Sequence, residues 1–167
     1  MPLLIDPQHL LTELYAISNV PAVVWIDEDD RIVRPNSVAF STDMFAEFTG
    51  AESGPHLDAV RAWVRDGTVG MNESEARAAV PDLSDDEVRA RLHFRVAAEA
   101  RRRGNDATAQ HHFARAGELA PMDFTIRRAA MPLVGDDPFG ADFMELYGEW
   151  EAAGSPFHGL PPMTADG

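Results

Sequence analysis

Cysteine and lysine are both absent from the 167-residue chain, so every one of its 14 basic side chains is an arginine. Without a thiol there is no disulfide, no C-x-x-C redox pair, no cysteine nucleophile and no thiolate zinc site. Without an ε-amine there is no Schiff base, no pyridoxal phosphate lysine and no phosphate-binding lysine of the P-loop or kinase kind. No apolar run approaches the roughly 18 residues that suggest a membrane span. The opening Met1-Pro2-Leu3-Leu4-Ile5-Asp6 has neither the basic nor the long apolar stretch of a secretory leader. Nor is there a G-x-G-x-x-G, an H-E-x-x-H or a serine set in the glycine motif of a catalytic triad. What remains is 45% apolar and 25% charged, as in an ordinary globular chain of one domain or two small ones. The expectation is a cytoplasmic protein with no cofactor and little catalytic chemistry.

Charge is present but unevenly spread. Residues 1–90 hold 17 acids and 6 arginines, residues 91–130 hold 4 acids and 8 arginines, and residues 131–167 hold 7 acids and no base. The net charge of −14 repels phosphate, which argues against nucleic acid or an anionic membrane as partner.

The first third alternates strand and helix signals. Leu3-Leu4-Ile5 reads as a short strand ending at Asp6-Pro7, and a helix with Leu10, Leu11, Leu14, Tyr15 and Ile17 on its apolar side follows until Asn19-Val20-Pro21. Ala22 to Ile26 is a β-branched apolar run expected to be covered on both faces. The acidic turn Asp27 to Asp30 leads into a partner strand at Arg31 to Arg34. Two helices are expected next, one near Thr42 to Phe48 and one from Gly54-Pro55 to Asp66-Gly67. The later part is helical throughout. Ser84 and Glu87 spell a capping box, Gly104 stops the first helix, and a second runs from Asp106 to Ala120-Pro121. Helices from Asp123 to near Pro132 and from Pro138 to Gly154 complete the set, the last aligning Phe139, Phe143, Leu146 and Trp150. The predicted organisation is an α/β unit over residues 1–67 with a small sheet and flanking helices, a linker at 68–83, an all-α unit at 84–154 and a flexible tail at 155–167.

The segment from Leu3 to Gly67 resembles the second half of a thioredoxin-like domain, as found in thioredoxins, peroxiredoxins and disulfide reductases. The resemblance rests on a helix ending in Ile17-Ser18-Asn19-Val20-Pro21, the strand from Ala22, the Asp-rich hairpin and a closing helix through Trp63. It implies a cis bond between Val20 and Pro21. Such a domain begins with a strand, a cysteine-bearing helix and a second strand that have no counterpart here, so no position inherits a catalytic role. Residues 90–123 resemble one tetratricopeptide repeat, with Ala97, Gly104, Ala109, Phe113, Ala116 and Pro121 at the motif's spacings. The combination looks like bacterial thioredoxin-domain proteins whose redox cysteines are often replaced.

Two sets of residues are candidate metal ligands. Asp27 to Asp30 put four carboxylates in one turn, Asp27 and Asp29 foremost, but lack the alternation and glycine of a calcium loop and read first as a solvated hairpin. His111-His112 is the one histidine cluster; adjacent helical residues point about 100° apart, so one metal does not easily take both, and His93 on the neighbouring helix with one of them, His112, is the weak candidate pair beside the plainer reading as surface histidines. Arg101-Arg102-Arg103 suits a solvated helix end or pairing with acids. Trp25, these three arginines, Phe143 and Trp150 are the candidate contacts for a partner. The leading expectation is a non-catalytic thioredoxin-like and tetratricopeptide-like protein that binds another protein or a second copy of itself. The alternative is the cysteine-lacking part of a thioredoxin- or peroxiredoxin-type oxidoreductase completed by an upstream or separate chain. A carboxylate or histidine metal site is a third, weaker reading.

Overall fold

In the computed structural model, which describes residues 3–164, the secondary structure is mixed, with helices predominating. In chain order the elements are α1 (Leu10–Leu14), β1 (Ala22–Ile26), β2 (Ile32–Val38), a 3₁₀ turn (Asp43–Phe45) running into α2 (Ala46–Thr49), and α3 (Ser53–Asp66). They continue with α4 (Glu73–Ala79), α5 (Asp85–Arg102), α6 (Asp106–Leu119), α7 (Arg127–Val134) and α8 (Ala141–Ala152). These form two units that do not follow the expected boundaries. The chain up to Asn19 packs with Asp82–Phe157, and Val20–Pro81 packs with the segment beginning at His158.

In the helical unit, α5 and α6 form an antiparallel hairpin. Ser84 and Glu87 close a reciprocal capping box at the start of α5, and Asn105 accepts from Thr108 N at the start of α6. Gly104, at φ +75°, supplies the left-handed residue that lets the chain reverse between them. Ala90, Phe94, Ala97 and Ala98 of α5 meet Ala109, Phe113 and Ala116 of α6, with Ala120 and Ile126 completing the core. Small side chains at the crossing let the helices approach closely, and the Phe94 and Phe113 rings fill the space left, edge to face at 5.4 Å. A second cluster joins Phe124, Met131 and Leu146, with Phe143, Tyr147 and Trp150 packed around it.

Residues 3–19 correct the sequence reading. Leu3, Leu4 and Ile5 form no strand and are exposed, because among the described residues no ladder is offered to them. The following helix is reduced to α1, whose first amides donate to the Asp6 carboxylate at 3.0 and 2.7 Å. It ends where Ala16 turns left-handed at φ +50°.

In the other unit β1 and β2 pair antiparallel, Trp25 lying opposite Arg34, with the register irregular on both sides of Trp25. The Val20-Pro21 bond is cis. β2 runs four residues past the expected Arg34, and its far end meets the tail: Leu160 N donates to Asn36 O at 2.8 Å, and Leu160 bridges Ser37. Of the segment expected as a flexible tail, Ser155 and Pro156 bond to Trp150 in the helical unit and Leu160 to β2 in the other; its last three residues lie outside those described. The expected linker likewise holds α4, capped by a reciprocal Asn72 and Glu75 box.

Candidate functional site

Two places concentrate chemistry, one in each unit. In the helical unit a charged pair lies inside the protein: Arg91 is 0% exposed and Asp123 5%. The Arg91 guanidinium meets Asp123 Oδ2 at 2.8 Å and donates to the carbonyls of Glu87 and Ile17, each at 3.2 Å. Asp123 Oδ1 accepts from Thr125 N at 2.8 Å and from its hydroxyl at 2.6 Å. Phe124 N donates to Ser18 O beside them. The cluster therefore fastens the segment before Asn19 to the helical hairpin. His9 belongs to the same region, its ring 4.2 Å from that of Phe94. Burial holds its pKa below the ordinary histidine value, with Arg91 and Arg95 pushing the same way and Asp6 opposing.

That depression has a signed consequence. Where the folded pKa lies below the unfolded one, near 6.5, the unfolded chain takes up the proton first. The stabilisation is complete above about pH 6.5 and declines as pH falls toward the folded value. Urea midpoints at pH 7.5 and 5.5 should therefore differ less in His9→Asn, which tolerates the left-handed backbone at φ +53°, than in the wild type. Equal differences in both proteins would rule out the assignment.

In the sheet unit the cross-strand pair Trp25 and Arg34 lies with α3. Trp63 stacks on Trp25 at 4.9 Å and 10°, and His56, one α-helical heptad earlier, approaches the same indole at 6.2 Å. Arg34 lies with its guanidinium carbon 5.7 Å from the indole centroid. Trp25 is 2% exposed and His56 9%. Burial pushes both Arg34 and His56 below their ordinary pKa values, and for His56 the neighbouring Arg34 charge adds to the effect. Of these four residues the sequence reading named only Trp25 as a site candidate, a contact for a partner. Its burial beneath Trp63 corrects that expectation. The signal available for the others was the i, i+7 spacing of His56 and Trp63.

The remaining candidates are placed as follows. Asp27 turns inward on its own hairpin, accepting from the amides of Asp29 and Arg31, each at 2.9 Å, while Arg31 also pairs with Asp29 at 2.7 Å. The Arg31 amide holds the Asp27 carboxyl below its ordinary pKa. His93 and His112 do come together, but Nδ1 to Nδ1 at 2.7 Å, so each spends that nitrogen on the other. Among the described residues no group of three or more metal-ligating side chains gathers. Arg102 and Arg103 pair with Glu99, and Arg101 with Asp106 at 2.6 Å. Phe143 and Trp150 pack around Phe124, and Arg128 lies over the Phe139 and Phe143 rings at 4.4 and 4.5 Å.

Comparison with protein-family models, with curated proteins and with solved structures finds no match to this chain. Among the described residues no helix is long and apolar enough to cross a membrane.

Proposed function

We propose that this chain is a non-catalytic protein of thioredoxin-like and tetratricopeptide-like build that acts by binding another polypeptide, the simplest partner being a second copy of itself. The observation that carries the reading is an apolar row on the outer side of α5. Leu92 and Val96, at i and i+4, are 47% and 45% exposed although the helix already buries its core face. Arg95, beside Val96, pairs with Glu13 of α1 and donates to Gln8 O, and α1 itself exposes Leu10, Leu11 and Leu14. Exposed apolar surface gathered in one place marks interaction sites. Light scattering after size exclusion at micromolar concentration should give twice the 18.3 kDa chain mass, reverting to one chain in the Leu92→Glu, Val96→Glu double variant. A monodisperse single-chain mass for the wild type would overturn self-association through this row.

The oxidoreductase reading draws on β1, whose outer edge has no strand partner among the described residues and offers a ladder to another segment. Thiol exchange requires an attacking thiolate, and this sequence has none to give. The purified chain alone is expected to give no turnover in an insulin-reduction assay. Turnover by the chain itself, with contaminants excluded, would exclude the non-catalytic reading.

A further inference from the structure

Acids outnumber arginines two to one in this sequence, and thirteen of its fourteen arginines are accounted for within the protein. Ten take part in ion pairs. Arg65, Arg127 and Arg128 donate to backbone carbonyls. Arg34 is the exception. Among the described residues no carboxylate or carbonyl pairs with it; it lies over the Trp25 ring, with its charge near His56. Among the described residues its buried Nε finds no hydrogen-bond partner, and the same holds for Trp25 Nε1 and His56 Nδ1. A guanidinium N–H and an indole N–H can only donate, and His56 Nδ1 donates in one tautomer and in the imidazolium. Three such groups around one indole share a single deficit, which is an acceptor. A negatively charged oxygen group is the acceptor that such donors call for, and the planar arginine fork is the side chain best suited to hold it.

We propose that Arg34, Trp25 and His56 form a binding site for a small oxyanion, a carboxylate or phosphate group. β1 and β2 set Arg34 directly across from Trp25. α3 brings His56 to the same indole and lays Trp63 over its face, so the anion would meet its donors against an apolar wall where charge-assisted hydrogen bonds are stronger than in water. This site is separate from the α5 row and does not depend on the interaction role proposed for it.

The test uses the ¹⁵N-labelled full chain, with the Trp25 indole N–H resonance assigned by elimination using Trp63→Phe and Trp150→Phe. The probes are inorganic phosphate and acetate, titrated against sodium chloride at matched ionic strength. A saturable shift of the Trp25 indole with phosphate, acetate or both, and none with chloride, is the expected result; which probe saturates identifies the anion. Arg34→Gln should weaken binding by at least about tenfold, the loss expected for one charge-assisted hydrogen bond. Arg34→Lys, which keeps the charge and loses the fork, should fall between that variant and the wild type. Drift indistinguishable from chloride for both anions, or wild-type affinity in either arginine variant, overturns the proposal.

Discussion

Phe113→Ala is expected to cost the helical unit about 3–5 kcal/mol, the loss seen when a buried phenylalanine is truncated in a core that cannot collapse around the gap. The ring lies between α5 and α6, packed edge to face with Phe94 and with alanines around it. Alanine has no rotamer with which to fill a neighbouring cavity. The hairpin backbones are already close, so the void stays. Against a total stability of ~5–15 kcal/mol for a domain, such a loss leaves the unit near its unfolding point. For a unit of this size each kcal/mol shifts the melting temperature by roughly 4–8 °C. Thermal melts followed by far-ultraviolet circular dichroism should therefore show a drop of at least about 12 °C. Phe113→Leu, which keeps most of the volume, should lose under half as much. A melting temperature unchanged by the alanine would mean that the two helices are not joined through this ring.

The α5–α6 hairpin was legible in the sequence because everything that specifies it is local. The Ser84 box, the Gly104 reversal and the alanine and phenylalanine spacings each act within a few residues. α4 carried an equally local signal in Asn72 and Glu75, hidden because Gly70 and Pro81 nearby suggested a linker. Leu3 to Ile5 misled for the opposite reason. An apolar triplet has strand propensity, but a strand exists only through its ladder, and no local feature tells whether a neighbour is offered. The same limit hid the two polar centres. Arg91 is four residues from Arg95 in a helix rich in exposed charge, and nothing nearby marks it as buried; its acid, Asp123, is supplied 32 residues later. Arg34 meets Trp25 only through a register that shifts beside the indole, and His56 reaches them from a third element. Periodicity assigns faces, whereas such pairings are decided by tertiary approach.

The buried pair gives the other large expected effect. Removing Arg91 leaves the Asp123 carboxyl enclosed without its cation, and breaking a buried ion pair from one side costs about 3–5 kcal/mol. It also strips a donor from Ile17 O, so the hold on the segment that ends at Asn19 loosens together with the charge. Burial already pushes the Asp123 pKa above the ordinary aspartate value, against the pull of Arg91 and of the Thr125 hydrogen bonds. In Arg91→Ala that pull is gone and the pKa rises further. A raised carboxyl keeps its proton in the folded state at pH values where the unfolded chain has released it, so stability declines as pH climbs from about 3.9 through the folded value. The penalty of Arg91→Ala should thus be larger at pH 7.5 than at pH 4.5. Replacing both partners with apolar residues, Arg91→Met with Asp123→Leu, removes the charge from each side and should be less damaging than Arg91→Ala alone. Urea unfolding of the single and double variants at the two pH values measures both effects. A penalty below about 1 kcal/mol, the level of a solvated surface pair, would show that Arg91 and Asp123 face water.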